Sequence, residues 1–272
     1  MSIPTDTTRT QRFFEQAAKD ERTALVVYLT IGFPSLEDSL GCARAALAGG
    51  ADVLELGVPF SDPTADGPTI AAASYEAIQR GGSLRAALDL ARTLRQETDK
   101  LLVLFSYCNP IFAYGEAELV QAASDIGIDA LLVVDLPPEE GPVLRARAAA
   151  AKLCMVPLLA PTSDAERERA AFGVASGFIY YVSMTGVTGS RSVDAAEAGQ
   201  AARALMARSP LPVVVGFGID SADAARRVAD FGVSGVVVGS QIVRIMARHS
   251  TTAERARAVE SFVSELRAAL DA

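Results

Sequence analysis

Glu55-Leu56-Gly57-Val58-Pro59-Phe60-Ser61-Asp62-Pro63-Thr64-Ala65-Asp66-Gly67-Pro68-Thr69-Ile70 begins where a short apolar run ends and becomes a loop of three prolines, two glycines and two aspartates. Side chains alternate between the faces of a strand, so Glu55 points away from the side taken by Leu54 and Leu56. That sets an acid where the inner face of a closed barrel would take a hydrophobe. Burying a carboxylate there needs a reason, and a strand ending in an acid before a Pro/Gly-rich loop has the layout of an active site.

The same strand-then-helix unit recurs along the chain. Apolar, β-rich runs fall at 25–30, 53–56, 101–106, 130–134, 154–159, 178–182, 213–215 and 235–238. Segments of helical period lie between them at 36–48, 83–96, 116–126, 165–175, 194–207 and 222–230. Ser35, Ser83, Ser163 and Ser221 stand as helix N-caps, and Gly49-Gly50, Gly127 and Gly232 stand where helices should stop. Eight βα units without a Pro/Ser-rich linker predict an α/β fold, a single (β/α)8 TIM barrel over residues 1–272, against a usual length of about 250 residues. The surplus makes an extra N-terminal helix at 10–19 and a C-terminal helix at 252–270. An open doubly wound sheet permits the same alternation. No dinucleotide fingerprint supports it, since Gly216-Phe217-Gly218 has Ser221 where the third glycine belongs.

Half of the 272 residues are hydrophobic, enough for a sizeable core, and the net charge of −8 argues against a nucleic-acid partner. Asp6, Glu15, Asp20 and Glu21 crowd an N-terminus without an apolar h-region, and no run approaches the roughly 20 apolar residues of a membrane span. A cytoplasmic protein is expected. Cys42, Cys108 and Cys154 are odd in number, widely spaced and set in apolar stretches, which suits reduced structural thiols.

In such a barrel the active site lies at the C-terminal ends of the strands, with phosphate often held after the last two. Gly216-Phe217-Gly218 follows the seventh expected strand, and Gly239-Ser240 opens a helix after the eighth. Backbone N–H groups at a helix start can cradle a phosphate, although the glycines could equally serve tight turns. Ser183 to Ser190 follows the sixth strand with small polar residues suited to a lid. The one histidine, His249, sits far from any strand end, so a histidine metal cluster or a Ser-His-Asp relay is excluded. Lys100 and Lys152 precede strands, at the end of the barrel away from the site. Bond chemistry must then rest on carboxylates and phenols.

Glu55, Asp62, Asp66, Asp135 and Asp220 are the strand-end carboxylates. Desolvation should raise the pKa of Glu55 and poise it for proton transfer, unless it forms a buried ion pair with an arginine. Asp66 is either functional or the cap of a helix from Thr69, and Asp135 is either functional or a turn residue before Pro137-Pro138. Tyr28, Tyr107 and Tyr180 near strand ends, with Ile70 and Phe217, could line a slot for a flat ring. Slot and phosphate loops together imply an elongated substrate.

These stretches resemble the tryptophan synthase alpha subunit family. The likeness rests on Glu55 to Ile70, Tyr28-Leu29-Thr30-Ile31-Gly32-Phe33-Pro34, Asp135-Leu136-Pro137-Pro138-Glu139-Glu140, Gly186-Val187-Thr188-Gly189, Gly216-Phe217-Gly218-Ile219 and Val238-Gly239-Ser240, in the family's order and spacing over nearly the whole chain. The resemblance implies retro-aldol cleavage of indole-3-glycerol phosphate to indole and glyceraldehyde 3-phosphate, without a cofactor or metal. It matches Glu55 to the acid/base, Asp66 to the acceptor of the ring N–H, and Tyr180 to a phenol beside the acid. Gly189, Gly218, Gly239 and Ser240 match the phosphate cradle. It further implies a pyridoxal-phosphate beta subunit in an alpha2beta2 assembly, with Asp62 and Pro63 facing that partner and an Asp66–Thr188 contact marking lid closure. Met184-Thr185 departs from the arginine and serine of some members. An autonomous lyase that releases free indole, and a ligand-binding subunit that only activates its partner, share these features.

Overall fold

The computed structural model describes residues 7–182, 195–216 and 218–272. Among the described residues, nine strands run parallel: β1 (Ala24–Thr30), β2 (Val53–Gly57), β3 (Leu101–Ser106), β4 (Ala130–Val133), β5 (Cys154–Val156), β6 (Leu158–Leu159), β7 (Ile179–Val182), β8 (Val213–Gly216) and β9 (Gly235–Val238). They pair in the order β5-β4-β3-β2-β1-β9-β8-β7-β6. The fifth expected strand is thus two short ones, and the break falls at Pro157. Proline has no N–H to give to a ladder. Its carbonyl still accepts the Tyr180 N–H at 3.1 Å. One half of the segment pairs with β4 and the other with β7, so chain continuity brings the two ends of the sheet together into a barrel.

Twelve helices surround it among the described residues: α1 (Arg9–Lys19), α2 (Leu36–Ala48), α3 (Pro68–Gln79), α4 (Leu84–Arg95), α5 (Cys108–Tyr114), α6 (Glu116–Ile126), α7 (Pro142–Ala150), α8 (Ala165–Val174), α9 (Ala195–Met206), α10 (Ala222–Ala229), α11 (Ser240–Arg248) and α12 (Thr252–Asp271). Ser35, Ser83 and Ser221 cap α2, α4 and α10 as expected. Ser163 does not cap α8. Asp164 accepts the Arg167 N–H there, while the Ser163 hydroxyl accepts the Ala160 N–H one turn earlier.

Alternation sorts the strands into two layers. Leu25, Val27, Leu29, Leu54 and Leu56 face the helices, while Ala24, Val26, Tyr28, Val53, Val103, Phe178, Tyr180 and Val214 fill the barrel. α1 stops the N-terminal end: Phe14 lies in the interior cluster with its ring 5.3 Å from that of Phe178. Among the described residues the barrel therefore opens at the C-terminal ends of the strands.

The closed end is held by charge. Asp52, just before β2, accepts the Leu25 N–H and Arg267 on one oxygen and Arg22 and Lys100 on the other, at 2.9–3.1 Å. Asp129, just before β4, accepts the Leu102 N–H at 2.8 Å and pairs with Arg95 and Arg9 at 2.6 and 2.9 Å. Each aspartate satisfies the start of one neighbouring strand and pins it to outer helices. Lys100, at this end, takes no part in the open mouth.

Removing one partner of a buried, hydrogen-bonded charge pair costs about 3–5 kcal/mol, whereas exposed helix pairs contribute roughly 0.3–0.5 kcal/mol. Asp52→Ala should lose stability in the first range in urea unfolding. Arg226→Ala, which breaks the exposed pair with Asp230, should stay in the second. Equal effects would show that the Asp52 cluster does not hold the closed end.

Candidate active site

Glu55 sits level with Tyr28 on β1 and Val103 on β3, faces inward by strand alternation, and is fully buried. Neither carboxylate oxygen has a hydrogen-bond partner among the described residues. The alternative of a buried ion pair with an arginine is not found among the described residues. Burial alone pushes its pKa up to about 8, from an ordinary 4.5. At neutral pH this group carries a proton with nothing in the described fold to give it to.

Two phenols overhang the acid because two inward positions at strand ends are glycines. Gly57, two residues beyond Glu55 on the same face, leaves the space that the Tyr28 hydroxyl fills, and a Cβ there would overlap the phenol. A Cβ at Gly216 would lie 3.0 Å from the Tyr180 hydroxyl. Tyr28 accepts a long hydrogen bond from Thr30 Oγ1 at 3.4 Å and stands edge-on to Phe105. Burial holds Tyr180 in its neutral form, and Glu55 adds to this once it ionises. Tyr28 is held neutral by burial and then by Asp66.

Asp66 comes to this mouth from the loop. Helix α3 begins at Pro68, with Gly67 at the N-cap and no side-chain cap, so the capping role proposed for Asp66 does not hold. Its Oδ2 instead accepts the Tyr107 hydroxyl at 3.1 Å. Burial raises its pKa to about 6, and that hydrogen bond opposes the rise. Ile70, in the first turn of α3, is half-buried against the interior cluster. Tyr107, expected only as a wall of the ring slot, is therefore also a polar partner, and its ring lies 5.1 Å from that of Phe60.

Gly239 is beside Tyr28, with its absent Cβ 3.4 Å from the Tyr28 Cβ, and N-caps α11 without a side-chain hydrogen bond. The first amides of α11, from Ser240 on, are thus free to meet an anion at the mouth. The Ser240 hydroxyl accepts from Arg244 at 3.4 Å. Gly218 has a left-handed φ of 61° with open space around its missing Cβ. Asp135 is exposed and accepts the Cys108 N–H at 2.7 Å, which caps α5 from the end of β4. Asp62, in the same loop as Asp66, is exposed, and its Oδ2 accepts the Ser61 hydroxyl; Pro63 beside it is half-buried, and its carbonyl accepts the Asp66 N–H. Phe217, Thr188 and Gly189 lie outside the described residues.

Sequence reasoning missed Thr30, Phe60 and the steric work of Gly57 and Gly216. Gly57 carried a readable signal, since it follows Glu55 at the same-face spacing of two.

Three comparisons with known proteins bear on this arrangement. A family model described as tryptophan synthase alpha chain matches residues 14–271. The tryptophan synthase alpha chain of Xylella fastidiosa (strain M12) is 43% identical over 266 residues, covering 97% of this chain and 98% of that protein. The chain of the same description from Burkholderia mallei (strain NCTC 10229) is 43% identical over 265 residues, 97% of each. A crystal structure of tryptophan synthase subunit alpha from Legionella pneumophila str. Paris superposes with a TM-score of 0.89 at 31% identity, covering 98% of this chain and 99% of that one.

A carboxyl whose folded pKa lies above its unfolded value binds more protons folded than unfolded in between. Its stabilising contribution is present below about pH 4.5 and is lost as pH rises toward 8. Glu55→Gln removes this dependence. Urea unfolding should find the variant more stable than the parent at about pH 8, with the gap closing at about pH 5. A gap that does not change with pH would mean that Glu55 titrates as an ordinary carboxylate.

Proposed function

The chain belongs to the tryptophan synthase alpha chain family and cleaves indole-3-glycerol phosphate to indole and glyceraldehyde 3-phosphate, and we propose that Glu55 carries the protons of that cleavage. The observation that supports this most is a fully buried acid, unpartnered among the described residues, at the floor of the mouth opposite the end that α1 stops.

The bond to be broken joins indole C3 to the glycerol chain. Glu55, protonated at neutral pH, gives its proton to C3, and the ring becomes the electron sink. The positive charge that develops at the ring nitrogen is met by Asp66, whose Oδ1 has no partner among the described residues while Oδ2 is held by Tyr107. The carboxylate left on Glu55 then takes the proton of the adjacent glycerol hydroxyl as the C–C bond parts and the aldehyde forms. The acid is regenerated, and no water or cofactor is consumed. Tyr180 stands beside Glu55 as a neutral phenol that can steady either form. Tyr28, Ile70 and Tyr107 frame the ring, with Phe217 beside them in the sequence reading. The amides at Gly218, Gly239 and Ser240, with Gly189 from the lid, hold the phosphate.

We further propose that the chain delivers indole to a pyridoxal-phosphate beta subunit in an alpha2beta2 assembly in the cytoplasm. The surface next to the catalytic loop supports this reading. An open groove is lined by Phe60, Asn109, Pro110, Phe112 and Ala113, with Phe112 58% exposed, and Asp62 and Pro63 lie a few residues beyond Phe60. Phe60, Pro110, Phe112 and Ala113 make this groove a mostly apolar patch, the kind of exposed surface that suits a protein contact.

Release of glyceraldehyde 3-phosphate from indole-3-glycerol phosphate tests the reading. Slow release that rises sharply with a beta subunit is expected; fast release without it would mark an autonomous lyase, and none in either case a subunit that only binds. Glu55→Gln should lower turnover by at least about 10²-fold with ligand affinity nearly intact. Asp66→Asn should fall comparably.

A further inference from the structure

We propose that Tyr107 is a positioning residue which clamps Asp66, so that one oxygen of that carboxylate is fixed and the other is presented to the substrate. The inference rests on the reading of Asp66 as the acceptor of the ring N–H. The two ends of the contact differ sharply in rigidity. Tyr107 is buried and immediately follows β3. Its carbonyl accepts the Ser106 hydroxyl at 3.0 Å, the Ser106 carbonyl accepts the Val134 N–H at 2.9 Å, and the Cys108 N–H is held by Asp135 at 2.7 Å. The backbone on both sides of the phenol is thereby tied to Val134 and Asp135, the residues that follow β4. The loop from Ser61 to Gly67 has no regular structure, and its internal backbone bonds are two short turns, Thr64 N–H to Asp62 O and Asp66 N–H to Pro63 O.

One phenol oxygen joins these two regions through both of its functions. It accepts the Ala65 N–H at 3.1 Å and donates its own proton to Asp66 Oδ2 at 3.1 Å. The Phe60 ring packs on the Tyr107 ring with planes 34° apart, which fixes the phenol laterally. Two adjacent residues of the loop are thus referred to the barrel framework, one through its backbone and one through its carboxylate. An acceptor held this way needs no reorganisation when charge develops on the ring nitrogen. The donated proton also favours the ionised carboxylate that the role requires, against the burial that raises it.

Among the described residues, the ionisable groups that feel Asp66 are Tyr107 after β3, Tyr28 on β1 and Tyr180 on β7, all phenols held neutral by burial. Glu55 on β2 lies beneath the same mouth and titrates near 8. Asp66 is the group among the described residues that titrates near 6. The substrate's phosphate monoester, with a second pKa of about 6, is common to parent and variant, so a difference between their acid limbs is that of Asp66.

Tyr107→Phe keeps the ring against Phe60 and removes only the hydroxyl. Loss of a hydrogen bond to a charged group predicts a kcat lowered about 10- to 100-fold, with KM within about threefold. The acid limb of the kcat/KM profile should move to higher pH. In the ligand-free chain, carbon-13 NMR of labelled aspartate should show the Asp66 midpoint rising in the variant. In an Asp66→Asn background the second substitution should add nothing. Unchanged kcat and an unchanged Asp66 midpoint would overturn the clamp, as would an independent loss in the Asp66→Asn background, which would make Tyr107 a wall of the slot. Full activity of Asp66→Asn alone would instead remove the underlying reading of Asp66.

Discussion

A carboxyl group buried with no described partner is the constraint on which the rest of this structure turns. An ionised carboxylate in a dry interior costs several kcal/mol unless it is paired, so Glu55 must hold its proton or find a ligand. The fold supplies the dryness. α1 stops one end of the barrel with Phe14, and Val53, Val103 and Val214 line the wall, so among the described residues the acid is approached from the C-terminal strand ends. The same features that make Glu55 a stability burden near neutral pH make it a proton donor there.

The two ends of the barrel treat charge in opposite ways. At the closed end Asp52 and Asp129 are saturated with strand amides and guanidinium groups, and they fix the register of β1–β3 and the seating of α12. At the open end Glu55 has no described partner and Asp66 has one, a phenol that holds it without neutralising it. Glycines complete the division. Gly57 and Gly216 give up core volume so that two hydroxyls can overhang the acid, and Gly239 lets the start of α11 come up beside Tyr28. Stability is concentrated where no substrate goes.

Much of this was legible in the sequence because it rests on local rules. The apolar, β-rich runs located seven strands, and helical period with serine caps most of the helices, within a residue or two. The inward direction of Glu55 followed from its neighbours Leu54 and Leu56. The split at Pro157 was legible in principle, since a ladder cannot use a residue without an N–H, but hydrophobicity runs through it unbroken. Helices α3, α5 and α7 begin at or near prolines inside strand-to-helix loops, where loop composition hides helical period. The Tyr107–Asp66 bond spans 41 positions and could not be read from spacing. Asp135 had a turn role and a functional role open to it. The structure shows a third use, because capping α5 from another strand depends on the barrel having closed.

The central claim is that Glu55 is neutral at physiological pH because nothing among the described residues compensates its charge. Carbon-13 NMR of chain labelled at glutamate side-chain carboxyls, with Glu55→Gln to assign the signal, reads this directly. A midpoint near 8 in the ligand-free protein is the predicted result. A midpoint at the ordinary value of 4.5 would contradict the account, because Glu55 would then reach the substrate already ionised, with no proton to give.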